Sequence, residues 1–156
     1  MEFDFGSDNN AGIDPRVLAA IDALNHGRAA PYGADATSMS LNETFTEVFE
    51  REAFVFPTPT GTAANGLALG AVCPPYGAIV CHEQAHIVWT ECGAPEFFTG
   101  GARLIVSNGA HHKLSPQGLM SALEPFLKGN RHRHRASCLS IAQPTEGGTL
   151  SAPKMR

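Results

Sequence analysis

The sequence predicts an α/β fold with parallel strands and crossover helices, and three observations carry that prediction. Short apolar runs, Ala53–Phe56, Ala78–Cys81, Ala102–Val106 and Ala136–Ala142, alternate with segments whose apolar residues recur at helical spacing. A Thr60-Gly61-Thr62 junction joins the first run to the helix after it. The 156 residues are 43% apolar, which suits one ordinary domain with a sizeable core.

The elements follow in order. Asp14 is a good helix N-cap and Pro15 fits the first helical position; Val17, Leu18, Ile21 and Leu24 share a face, and Gly27 stops the run. After a loop at Gly33, the spacing of Leu41, Phe45, Val48 and Phe49 predicts a second amphipathic helix. A strand at Ala53–Phe56, a helix over 62–71 and a break at Pro74-Pro75 come next. Ala78–Cys81 reads as a buried strand, His86–Glu91 as a short helix and Ala102–Val106 as another strand. Ser115 and Pro116 open a helix carrying Leu119, Leu123, Phe126 and Leu127, which Pro125 should kink; Ala136–Ala142 is the last strand. The sheet is therefore expected to have four strands, with the last at an edge.

Composition narrows the function. Fifteen acidic against 11 basic residues give a formal charge of −4, which argues against nucleic-acid binding by bulk electrostatics. No run approaches the roughly 20 apolar residues of a membrane helix. Cys73, Cys81, Cys92 and Cys138 form neither a C-x-x-C pair nor a disulfide framework, and no basic-then-apolar leader opens the chain, so a reducing cytoplasm is the expected setting. Cys81, His82, His86 and Cys92 could satisfy tetrahedral zinc by residue type, but their spacing matches no closed zinc module, and no metal is expected.

The Thr60-Gly61-Thr62 junction suits a phosphate. Glycine lets the backbone approach an anion, a helix start offers unpaired N–H groups, and two hydroxyls add donors. The residues alone also permit a plain strand-to-helix turn.

Five blocks occur together in order: Ser7-Asp8-Asn9, Tyr32-Gly33-Ala34-Asp35, Thr60 to Asn65, His86 followed by Glu91 to Phe98, and Ser140 to Thr149. In this the chain, from Phe5 to Pro153, resembles the low-specificity threonine aldolases, β-eliminating lyases of the aminotransferase-like class that uses pyridoxal 5′-phosphate. The resemblance implies the N-terminal part of a three-layer αβα large domain, truncated, with an N-terminal arm and helix over 1–35 and the incomplete cofactor-binding domain over 36–156. It assigns Gly61 and Thr62 to the cofactor phosphate and stacks His86 on the pyridine ring, close to the bond that breaks. By local reading alone His86 could equally be a capping or core histidine. The resemblance also assigns His132 to the substrate hydroxyl proton, with His134 as the alternative match in a basic run, and Ser7 to the substrate α-carboxylate.

The implied reaction cleaves a small β-hydroxy-α-amino acid into glycine and an aldehyde, in an enzyme that assembles as a homo-oligomer. Two departures stand against it. The family's cofactor-bearing lysine and the aspartate that pairs with the pyridine nitrogen have no counterpart here: no aspartate follows Asp35, and the lysines are only Lys113, Lys128 and Lys154, at helix ends and in the tail. Ala142 and Pro144 also replace residues more often polar or small. The expectation is a chain that is catalytically inert alone, marginal or sticky in solution, with a non-catalytic role in subunit contact as the alternative.

Overall fold

The computed structural model describes residues 10–127 and 131–150. The chain divides into two compact units, Met1–Phe56 and Pro57–Arg156. This division falls after the second helix, whereas the sequence boundary was drawn at 35/36.

In the first unit, α1 (Pro15–Leu24) starts where Asp14 accepts the Arg16 amide at 2.7 Å, with Pro15 at the first helical position. α2 (Ala36–Phe49) starts on Asp35, whose carboxylate accepts the Ser38 amide at 2.8 Å and the Ser38 hydroxyl at 2.6 Å. It ends at Glu50 in the left-handed conformation, φ 53°. The expected strand over Ala53–Phe56 does not form. Side chains of α2 take its backbone donors instead: Ala53 N–H donates to Thr46 Oγ1 at 3.0 Å and Val55 N–H to Asn42 Oδ1 at 2.9 Å. Buried or not, a backbone amide needs an acceptor, and here helix side chains supply it in place of a neighbouring strand.

The second unit carries the sheet. Its elements are α3 (Gly61–Val72), β1 (Gly77–His82), α4 (His86–Trp89), α5 (Ala94–Phe98), β2 (Arg103–Ser107), a 3-10 turn at Ala110–His112, α6 (Pro116–Leu127) and β3 (Arg135–Leu139). The strand order is β2-β1-β3, both pairings parallel, so the described sheet has three strands rather than four. β3 stops at Leu139, short of the expected Ala142, and α6 runs through Pro125 to Leu127.

The central strand explains the core. Every residue of β1 is buried, and its side chains alternate between faces. Ile79 and Cys81 pack with Leu69 and Cys73 of the α3 end, Ile87 and Ala102. Ala78 and Val80 pack with Ile105 and, from α6, Leu119, Ala122, Leu123 and Phe126. Helix, sheet and helix make the three layers that the family resemblance implies.

Candidate functional site

In parallel α/β sheets, ligand sites form beyond the carboxyl ends of the strands. Here α3 returns its N-terminus to that end: its C-cap Cys73 lies beside Gly77 at the start of β1, while Asn65, one turn into α3, reaches Glu91 beyond the end of β1.

The α3 start is arranged as an open donor turn. Thr60 Oγ1 accepts the Ala63 amide at 3.1 Å and the Thr60 carbonyl accepts the Ala64 amide at 3.1 Å. The Gly61 and Thr62 amides precede any intrahelical acceptor and have no hydrogen-bond partner among the described residues, as expected of the first turn of a helix. A β-carbon at Gly61 would meet nothing within 4 Å, so the backbone can be approached there. Donors, helix dipole and access together fit a phosphate ester.

His86 opens α4, and its side chain is 47% exposed. Two carboxylates flank the imidazole: Glu146 Oε1 lies 3.1 Å from Nδ1 and Glu91 Oε1 lies 3.7 Å from Nε2. The Glu91 side chain is wholly buried; its Oε1 accepts from Asn65 Nδ2 at 2.8 Å, while Oε2 has no partner among the described residues. An unpaired buried acceptor of this kind costs about 1–3 kcal/mol, so its retention calls for a reason.

Beside His86 lies a cavity of about 350 Å³, sharing Ala85 and Glu146 with it and lined further by His82, His112, Ile141 and Gln143. His82 is buried with its proton fixed on Nε2: Nδ1 accepts the Gln84 amide at 3.0 Å and Nε2–H donates to the Gly109 carbonyl at 3.2 Å. Its ring stacks on His112 with centroids 5.7 Å apart and planes 18° from parallel.

The predicted residues are thus only partly brought together. Gly61, Thr62 and His86 stand at the carboxyl end of the sheet, linked through Asn65 and Glu91. His132 stands apart from them within this chain. It precedes the amino end of β3, which runs parallel to β1, and lines a separate hollow with Arg103, Phe126 and His134. A strand of five residues spans roughly 17 Å, so His132 and His86 flank opposite ends of the sheet. His134 lies at that far end too, with Nδ1 3.2 Å from the Tyr76 carbonyl. Ser7, Lys128 and Lys154 lie outside the described residues. Lys113, which lines the cavity, donates its ammonium to the Leu150 carbonyl and follows the 3-10 turn rather than starting a helix. Among the described residues no three His, Cys, Asp or Glu side chains group as metal ligands.

Sequence reading overlooked Asn65, Glu91 and Glu146 as site members. All three stood inside quoted blocks, and Asn65 sits four residues after Gly61, which is one turn along the same helix face.

The three-layer parallel α/β unit has the fold of the pyridoxal-phosphate-dependent transferase class. The chain belongs to the beta-eliminating lyase family, whose model matches residues 4–156, a family dependent on pyridoxal 5′-phosphate. It is 36% identical over 149 residues to a low specificity L-threonine aldolase of a Pseudomonas species and 37% identical over 149 residues to that of Pseudomonas aeruginosa. Each match covers 96% of this chain and 42% of the relative, so the chain spans under half the length of these curated relatives. A solved structure of Leishmania major threonine aldolase superposes with a TM-score of 0.82 at 26% identity, covering 90% of this chain and 40% of that one.

Proposed function

We propose that this chain supplies the phosphate-binding and ring-facing half of a pyridoxal-phosphate site for threonine-aldolase-type cleavage of a β-hydroxy-α-amino acid to glycine and an aldehyde. The observation that carries the reading is the path along α3. Its first turn leaves the Gly61 and Thr62 amides open, and its second turn holds Glu91, which faces His86. When bound, pyridoxal phosphate supplies the electron sink for Cα–Cβ cleavage.

The chain's own residues then bind and move protons. The Gly61 and Thr62 amides and the Thr62 hydroxyl hold the phosphate, and His86 presents its imidazole to the ring and to a departing proton at one ring nitrogen. Ser7 is assigned to the substrate carboxylate on the family resemblance alone. His132 receives no role at this site. The lysine and aspartate partners of the cofactor have no counterpart among the residues of this sequence, so the 156-residue chain by itself is proposed to be inert.

Pyridoxamine 5′-phosphate tests the half-site, because it carries the ring and phosphate but needs no lysine. Saturable binding displaced by inorganic phosphate is expected, together with no glycine release from threonine and no borohydride-reducible adduct of pyridoxal phosphate at a defined lysine. Absence of binding overturns the half-site; a reducible adduct at Lys113 overturns the inertness.

A further inference from the structure

Glu91 is a wholly buried carboxylate whose one bonded oxygen is held by Asn65 and whose other oxygen has no partner among the described residues. The half-site reading uses it only as a link between α3 and His86 and gives it no task of its own. Its Oε1 nonetheless faces Nε2 of His86 at 3.7 Å, while the exposed Glu146 holds Nδ1 at 3.1 Å. A carboxylate accepts only, so the Nδ1 proton of His86 is donated to Glu146. Nε2 then faces Glu91 Oε1 at an ion-pair rather than a hydrogen-bond distance, so Glu91 holds that edge of the ring when Nε2 also carries a proton. A neutral ring can donate to one of the two carboxylates and a doubly protonated ring to both, so the pair dictates ring orientation and proton position together.

The two holds differ in kind. Glu91 stands on the turn after α4 and is braced by Asn65 of α3, both packed within the unit. Glu146 is 43% exposed and borders the adjoining cavity, on the segment after β3. We propose that Asn65 and Glu91 form a positioning pair that fixes the His86 imidazole from behind, while Glu146 is an outer hold that a ligand entering the site displaces. The pair's importance for catalysis rests on the half-site reading above; its effect on the ring does not.

The test reads the ring itself. Long-range proton–nitrogen spectra of the ¹⁵N-histidine-labelled chain, with His86 assigned by its loss in His86→Asn, report which ring nitrogen carries the proton. Glu91→Gln, which keeps the shape, and Asn65→Ala, which removes the brace, are each expected to shift the His86 ring nitrogens, Nε2 most. The backbone spectrum beyond residues 86–91 should stay as in the wild type. Glu146→Gln is expected to lose the Nδ1–H pattern without touching Glu91, and pyridoxamine 5′-phosphate is expected to mimic that loss in the wild type. The same ligand should bind Glu91→Gln about tenfold more weakly, the lower range seen when a residue that orients a ligating histidine is removed.

Unchanged His86 resonances in both Glu91→Gln and Asn65→Ala overturn the positioning pair. If the wild type fails to take up pyridoxamine phosphate while both variants still move the ring, the half-site reading falls and the pair stands.

Discussion

The ring of Phe98 lies so close to Gly66 that a β-carbon at residue 66 would stand 2.5 Å from Phe98 Cδ2. That contact is how α5 seats on α3. Gly66→Ala gains up to about 1 kcal/mol of helix propensity and meets an overpacking cost of about 1–3 kcal/mol. The substitution is expected to destabilise by about 1 kcal/mol in urea unfolding. With Phe98→Ala in the background the clash is gone and the same change should stabilise; a cycle with no coupling between the two residues would refute the seating.

Thr60 and Gly61 are neighbours with opposite signatures. Thr60→Ala removes the cap on the Ala63 amide and should cost about 1 kcal/mol. Gly61→Ala places a methyl where no atom lies within 4 Å and should change stability by less than about 0.5 kcal/mol. Pyridoxamine phosphate binding is expected to weaken in Gly61→Ala all the same, because the methyl occupies the approach to the amides. Equal binding to wild type and variant would place the anion elsewhere.

Acid should unravel the first unit's helix caps. The Ser38 hydroxyl, then the Ser38 amide, hold the Asp35 carboxyl below its ordinary value, and the Arg16 side chain, then its amide, do the same for Asp14. A depressed folded-state pKa means that the contribution is present above the unfolded value, about 3.9, and is lost as pH falls through the folded value. Circular dichroism between pH 6 and 2, in the pH range about these values, should show helix loss that Asp35→Asn makes shallower, since asparagine caps without titrating. An identical acid profile in that variant would remove Asp35 from the explanation.

Thiol reactivity should single out Cys92. Burial, then the Glu96 and Cys138 charges, push the Cys81 thiol up to about 11; burial, then Cys73, push Cys138 up to about 11. The thiolate is the nucleophile, so both should resist alkylation near neutral pH in the folded chain. Cys92 is exposed. Brief iodoacetamide treatment followed by peptide mapping should find label at Cys92 first; early label at Cys81 would mean that the core around β1 opens.

The fold was legible where local chemistry decides it. Asp14-Pro15 announced α1, and the uninterrupted apolar run at Ala78–Cys81 announced a strand buried on both faces. The Phe54-Val55-Phe56 run misled because an apolar run looks alike whether its amides face a strand or, as here, Asn42 and Thr46 of a helix. α5 is five residues long, too short to show a period, and was read only as part of a motif. In the site, Gly61 was legible because a helix start has its own signature. Glu91 and Asn65 were not, because their meaning lies in a contact 26 residues apart. His132 was assigned through the resemblance, by its spacing from Ser140, and spacing along a chain does not measure distance across the sheet to His86.

Ala78 meets Arg103 on one flank and Ala136 on the other, so the central strand is made before either neighbour. During synthesis, a ribosome that has finished β1 still has α6 to make before the second flank can exist. Until then the β3-facing edge of Ile79 to Cys81 stays open and able to pair with another nascent copy. Yield in cells should therefore depend on how quickly translation crosses the interval between Ser107 and Arg135, and on the chaperones waiting there.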